Sequence, residues 1–400
     1  MEYRKVPHFV IKRNLQKVSV TGKNFDEAVT PLVLRDITCR ITGQQDFTYN
    51  YVDNDYCDDF LSKGYNKGRM AVMFYKDCVS YISFSEKEIS GRNSSVQSVP
   101  TAFNLYYMNP YPNKSLYYYF LNERGNAGTN YQILMYRLMK TVGFVFLNDK
   151  ESLGNTVLAF SSIEDIINSR QANTSRNRSN NSTYITKSAL TQYDVYGKTY
   201  GASKYETSML CYAISHLAAP HNSITLYEVL EGDLKKLPQA SLDVIAQMPN
   251  INVVQTDITL EKREFTANNS LRSPRYIYNL LERLGSKHCA LCNCEIPELI
   301  QGAHIWPVAE IKKVDRLTIE EKIQHATCGA NGIWLCENHH KMFDEGLLRI
   351  NNDGSVSYRS DIEHKHLSYM DEVTLIKQLP NEFLSDGFMM YLELRNRLIA

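Results

Sequence analysis

Asn331-Gly-Ile-Trp-Leu-Cys-Glu-Asn-His-His-Lys-Met-Phe-Asp344, preceded upstream by Cys289-Ala-Leu-Cys292, decides how the later part of this chain folds. Two residues between Cys289 and Cys292 let both sulfurs turn onto one ion, and Cys336-Glu-Asn-His339 repeats the spacing with a histidine as its second donor. The two halves together predict a structural Cys3His zinc site made of Cys289, Cys292, Cys336 and His339. The reason is physical: the stretch from Cys289 to Ile350 is too short for a large apolar core, and bound zinc can supply much of its folding free energy. Cys294 and Cys328 compete for ligand duty. The first sits too close behind Cys292 for knuckle geometry, and the second has no paired cysteine at metal-binding spacing. The remaining cysteines of the nine, Cys39, Cys57, Cys78 and Cys211, are scattered singly and read as small buried hydrophobes. A local cluster in an otherwise thiol-sparse chain points to metal ligation in a reducing compartment before disulfides.

Working outward, three polar residues stand in order: His304 in Ala303-His-Ile-Trp-Pro307, Asn331 at the head of the quoted stretch, and His340 directly after the zinc ligand His339. Here the sequence resembles the HNH endonuclease family, and in particular its branch in bacterial type II restriction endonucleases. The family's ββα-metal fold carries its first histidine on a strand, its asparagine on the following turn and its last histidine on the next helix. The resemblance implies a small zinc-stapled nuclease domain with His304, Asn331 and His340 as the catalytic set. His304 would take a proton from the attacking water, a task suited to an imidazole that titrates near working pH. Asn331 would hold the backbone or the His304 ring, and His340 would bind one divalent ion, Mg²⁺ or Mn²⁺. Asp344 lies one helical turn after His340, so its carboxylate projects from the same face as a candidate second, hard ligand. One departure stands out: many family members carry Asp or His immediately before the first histidine, and this chain has Ala303.

Each residue also has a plainer reading. His304 could be a hydrogen-bonded core histidine, the pair His339-His340 could both serve zinc, and Asp344 could be a surface acid. Coincidence of spacing around one zinc frame argues against all of these together.

The rest of the chain reads as mixed α+β. Its 400 residues predict two or three domains, and 43% hydrophobic with 22% charged residues predicts that most of it folds. His8–Ile11, Met70–Tyr75 and Val79–Phe84 read as strands. Tyr131–Thr141 reads as a helix with Ile133, Leu134, Leu138 and Met139 on one face. Asn168–Thr183 is dense in Asn, Ser and Arg and reads as a linker or mobile loop. Tyr205–Ala219 reads as a helix, Ile224–Leu230 as a strand, and Arg275–Leu284 as a helix ended by Gly285. The expected organisation is an α+β domain over 1–167, a polar segment over 168–186, a central α+β region over 187–274, and the zinc-stapled nuclease domain with a helical extension over 275–400. No stretch approaches the ~18 apolar residues that span a bilayer, and no signal-like segment opens the sequence, so a cytoplasmic protein is expected.

Net charge is zero, so any phosphate-binding surface has to be gathered locally. Between Asn168 and Lys204 the basic residues Arg170, Arg176, Arg178, Lys187, Lys198 and Lys204 face the single acid Asp194. Of these, Arg170, Arg176, Arg178, Lys198 and Lys204 are candidate DNA contacts, as are Arg272 and Arg275; a solvated basic surface is the plainer reading for each. The resemblance implies a sequence-specific endonuclease on double-stranded DNA. A single site per chain suggests a homodimer on a palindromic site, and a cognate methyltransferase would act as a separate partner. Two other classes are open: a modification-dependent or ligand-activated defence nuclease, and a zinc-dependent DNA-binding module without catalysis.

Overall fold

The computed structural model describes residues 8–13, 29–45, 48–52, 70–75, 77–84, 92–120, 130–148, 157–171, 183–198, 206–229, 237–255, 258–268 and 273–399. They form two compact units woven from separate pieces of chain. One gathers Met1–Thr183, Lys198–His221 and Asp233–Ile251; the other gathers Tyr184–Gly197, Asn222–Gly232 and Asn252–Ala400. The central region 187–274 thus contributes to both.

The first unit is built on a six-stranded mixed sheet of β1 (His8–Arg13), β2 (Thr48–Val52), β3 (Met70–Tyr75), β4 (Cys78–Phe84), β5 (Asn113–Tyr119) and β6 (Val145–Phe146), in the order β2-β1-β3-β4-β5-β6. The β1–β3 and β3–β4 pairs are antiparallel; β1–β2, β4–β5 and β5–β6 are parallel. Strands β3 and β4 are buried along nearly their whole length, which is why they read as continuous apolar runs rather than alternating ones. Helix α1 (Pro31–Thr42) starts where the Thr30 side chain accepts from the Val33 N–H, with Pro31 at its first position, and stops at Gly43 with φ 72°. It is followed by α2 (Arg92–Met108), α3 (Asn130–Thr141), α4 (Ile163–Gln171), α5 (Thr207–Leu217) and α6 (Gln239–Ile245). On α3 the buried face is Leu134, Met135, Leu138 and Met139, while Ile133, expected on that face, is exposed at its edge. Tyr81, Tyr118, Tyr119 and Tyr136 are buried here, so these tyrosines serve the core.

The polar segment begins later than its composition suggested. Residues 168–171 complete α4, and Thr183 opens a strand; 172–182 lie outside the described residues.

The second unit has a four-stranded sheet, order β10-β9-β8-β7, made of β7 (Thr183–Ala189), β8 (Gln192–Lys198), β9 (Ser223–Val229) and β10 (Ile251–Gln255). Helix α7 (Ile258–Ala267) leads to α8 (Pro274–Leu284). Ser273 caps α8 by accepting from the Tyr276 N–H at 3.1 Å, and Gly285 ends it at φ 76°. Tyr276, Tyr278, Leu280 and Leu281 of α8 are buried in one apolar cluster with Trp334, Phe343 and Phe388. The antiparallel hairpin β11 (Ile300–His304) and β12 (Gly332–Cys336) follows, spanned by the short α9 (Val308–Lys312) and by α10 (Ile319–Thr327), which opens on a Thr318–Glu321 capping box. Helix α11 (Glu337–Asp344) leaves β12 directly, completing a strand–strand–helix motif. A second hairpin, β13 (Leu348–Ile350) with β14 (Val356–Tyr358), and helices α12 (His364–Val373) and α13 (Asp386–Ile399) finish the unit. Among the described residues, no helix is long and apolar enough to cross a membrane.

Candidate metal and catalytic site

The β11–β12 register places one site at each end of the hairpin. Ile300 pairs with Cys336 at one end and His304 with Gly332 at the other. Four residue steps separate them, about 13 Å of extended strand.

At the first end the donor atoms of Cys289, Cys292, Cys336 and His339 all lie within 4.8 Å of one another. Cys292 Sγ is 3.8 Å from Cys336 Sγ, and His339 Nδ1 is 3.4 Å from Cys289 Sγ and 3.1 Å from Cys336 Sγ. Tetrahedral zinc with ordinary bond lengths requires sulfur–sulfur edges of about 3.8 Å and sulfur–nitrogen edges of about 3.5 Å. The four residues therefore fit such an ion with small adjustments. The knuckle is shaped by backbone bonds: the Cys289 N–H donates to the Cys294 carbonyl and the Ala290 N–H to that of Trp334. Cys294 thus closes the turn through its carbonyl. Between the thiols Cys336 donates a hydrogen bond to Cys289, which lowers the Cys289 thiol and pushes Cys336 up to about 11. A divalent cation would displace that shared proton.

His339 is oriented by a residue that nothing in the sequence announced. Thr374, fully buried at the end of α12, donates its hydroxyl to the Met370 carbonyl at 2.7 Å and lies 3.1 Å from His339 Nε2. With its proton committed, the Thr374 oxygen accepts from Nε2–H, which leaves the Nδ1 lone pair facing the sulfurs.

At the other end, His304 closes β11. Its Nε2 lies 2.8 Å from the Ala326 carbonyl, an acceptor only, so Nε2 carries the proton and Nδ1 is the free nitrogen. Burial pushes the imidazole down to about 4, against the hydrogen bond to Ala326 and with some help from nearby His340. The ring is therefore neutral at pH 7. One face is covered by Tyr276, with centroids 4.1 Å apart and planes 9° apart.

Asn331 is fully buried and does not address the His304 ring. Its Oδ1 accepts from the Trp306 N–H at 2.7 Å, and its Nδ2 donates to the carbonyls of Trp306 and His325, each at 3.1 Å. It pins the chain just after the histidine. A second clamp comes from α13, where the buried Arg395 donates to the carbonyl of Ile305, at 3.1 Å, and to that of Phe343. Desolvation pushes this guanidinium down to about 10, with Asp344 acting against the shift.

On α11 the neighbours His339 and His340 point about 100° apart, so one turns into the cysteine cluster and the other away from it. His340 Nε2 lies 3.3 Å from Asp344 Oδ2, close to the ~3 Å edge that neighbouring ligands span around a small octahedral cation. The spacing of these two donors is compatible with their sharing one divalent ion. Ala303 is buried and offers no donor.

The predicted DNA contacts fare differently. Arg170 is buried on α4 in an ion pair with Glu206 at 2.5 Å, which removes it from any DNA surface. Arg275 on α8 is held by the buried Glu261 at 2.8 Å, and it too is spoken for inside its unit. Long arginines can lie along apolar surface and dock on a distant acid, and neither partner is visible from local charge patterning. Arg176, Arg178, Lys204, Arg272 and the side chain of Lys198 lie outside the described residues.

The HNH endonuclease family model matches residues 289–351. The matched segment runs from the first zinc-type cysteine to just past β13 and contains His304, Asn331, His340 and Asp344. It places a nuclease-type domain toward the C-terminal end of the chain. No curated protein matches the chain.

Proposed function

We propose that this protein is a metal-dependent endonuclease that cuts double-stranded DNA at specific sites, in the manner of a type II restriction enzyme. The observation that carries the reading is the state of His304: a neutral imidazole with its proton fixed on Nε2 by Ala326, and Nδ1 free. In that state Nδ1 accepts a proton from the attacking water. Tyr276 and the Ala326 carbonyl hold the ring, while Asn331 holds the backbone of Trp306 and Arg395 the carbonyl of Ile305. His340 and Asp344 would hold one Mg²⁺ or Mn²⁺, which when bound polarises the scissile phosphate and stabilises the leaving oxygen. Cys289, Cys292, Cys336 and His339 would hold Zn²⁺ as a staple with no part in the reaction.

One such site cuts one strand, so duplex cleavage calls for two copies of the chain on a palindromic target, with a separate methyltransferase protecting host sites. The first unit and the four-stranded sheet offer the surface needed to read bases, which a domain as small as the matched segment lacks.

The test is incubation of purified protein with unmethylated phage DNA in Mg²⁺ and in EDTA, beside His304→Ala. Discrete fragments that need metal and vanish in the variant are expected. Unchanged cleavage by His304→Ala would sink the base assignment; inert wild type on unmodified DNA would redirect the search to modified DNA.

A further inference from the structure

Tyr276 belongs to α8, outside the segment that the family model matches, yet it reaches the candidate base. How it gets there is written in the hairpin. The residue paired with His304 across the strands is Gly332, and the next glycine along β11 is Gly302. A Cβ on Gly332 would run into the Tyr276 hydroxyl oxygen and stand 2.6 Å from Leu280 Cδ2 and 3.1 Å from Tyr276 Cε2. A Cβ on Gly302 would stand 2.5 Å from Leu280 Cδ1 and 3.1 Å from Tyr276 Cε1. The two glycines leave a slot on one face of the hairpin, and the i,i+4 pair Tyr276–Leu280 of α8 fills it.

We infer that Tyr276 is a positioning residue for the His304 base, seated in a slot opened by Gly332 and Gly302. The hydrogen bond from Nε2 to Ala326 fixes the direction of one ring atom, but it leaves the imidazole free to swing about the N···O axis. A parallel ring at 4.1 Å removes that freedom. Together the two contacts determine where Nδ1 points, and a base misaimed by a small angle loses most of its value. The ring does this, not its hydroxyl: among the described residues the buried Tyr276 oxygen has no hydrogen-bond partner. The inference rests on the nuclease reading for its kinetic consequences and on geometry alone for the ring's orientation.

The experiment compares Tyr276→Phe, Tyr276→Leu, Gly332→Ala and the double variant Gly332→Ala/Tyr276→Phe in the full chain, each checked for zinc content and melting temperature. Tyr276→Phe keeps the stack and should cleave plasmid within about twofold of wild type. Tyr276→Leu should lose on the order of 10- to 100-fold in kcat with little change in KM, because DNA contacts are untouched. Should the leucine variant fail to fold, Gly332→Ala tests the slot from its other side. It should lower kcat by displacing the ring, and deleting the hydroxyl it strikes should recover part of the loss. A folded Tyr276→Leu protein with wild-type kcat would overturn the inference, as would a Phe variant as slow as the Leu variant. If wild type cleaves nothing, ¹⁵N–¹H correlation spectra of the histidine rings still decide. A rigid His304 ring in wild type and Phe, with ring signals broadened by motion in Leu while the Nε2–H signal persists, supports the positioning role; an equally rigid ring in all three refutes it.

Discussion

One hairpin carries two sites built on opposite plans. The cysteine cluster is closed: four donors converge, three of them soft thiols, and the fourth is locked by Thr374. The proposed His304 site is open: His340 and Asp344, as its two protein donors, would leave most of a divalent ion's shell to water and substrate. Structural metal sites fill their coordination sphere and catalytic ones keep positions free, so the contrast supports the proposed roles. A closed site is specified by short spacings, because its ligands come in local pairs. An open site depends on how remote elements aim a few groups, here Tyr276 from α8 and Arg395 from α13.

The harshest way to break this comparison is to open the closed site. Cys336→Ser should abolish zinc binding and melt the second unit at ordinary temperatures, since apparent structural-zinc binding free energies reach about 10–16 kcal/mol. Metal analysis with calorimetry checks it. A variant that melted like wild type without zinc would mean that the apolar cluster around Trp334 and Phe343 holds the fold by itself.

Removing the base should cut differently. His304→Ala should lower kcat by roughly 10²–10⁴, or about 3–5 kcal/mol of barrier, while zinc content stays at one per chain. If zinc were lost as well, the two ends of the hairpin would not be independent, and the division of labour would fail.

How much of this was legible in the sequence follows the same division. Cys289, Cys292, Cys336 and His339 were readable because their spacing is local and the chemistry of thiolates is specific. His304, Asn331 and His340 stood out in order as candidates, whereas the hydrogen bonds of Asn331 to the Trp306 backbone follow only from the fold. Thr374, Tyr276 and Arg395 gave no signal: a threonine, a tyrosine and an arginine in ordinary helices acquire their roles only from packing. The same blindness hid the partners of Arg170 and Arg275, because Glu206 and Glu261 lie at no helical spacing from them. The strands β3 and β4 were evident as apolar runs, whereas the mixed order of the six-stranded sheet, which depends on long-range pairing, was not.

Acid should sharpen the contrast. An unfolded histidine titrates near ~6.5, whereas burial holds His304 down to about 4. Between those values the unfolded chain binds a proton that the folded chain refuses. The contribution is therefore complete above about pH 6.5 and is lost as pH falls toward about 4, for a total of roughly 3 kcal/mol. Zinc thiolates also weaken in acid, so the measurement must be differential. From pH 7.5 to pH 5.0, urea denaturation should show wild type losing about 2 kcal/mol more than His304→Asn. Equal losses would mean that His304 is not desolvated, and the argument for a neutral, aimed base would weaken with it. Activity carries the same sign: kcat/KM should stay level down to pH 5, because protonating a base this depressed requires stronger acid.

The smallest expected effect concerns the residue that closes the closed site. Thr374→Val keeps the shape of the side chain but withdraws the acceptor that fixes His339 Nε2–H. The buried Nε2–H then has no oxygen at 3.1 Å, and the imidazole can flip or tilt at little cost. Loss of such an outer partner lowers metal affinity by roughly 10- to 100-fold, or about 1.4–2.7 kcal/mol. Competition with a chromogenic zinc chelator would read this directly, with Thr374→Ser as the variant that restores the oxygen. If Val and wild type released zinc alike, His339 would be held by its sulfur neighbours alone, and α12 would matter to the site only through the backbone bonds from Leu375 and Ile376 to the Leu291 carbonyl. If Val weakened zinc and Ser recovered it while His304-dependent cleavage in excess zinc stayed constant, the two ends of the hairpin would be separable. The open site could then be retuned without touching the staple.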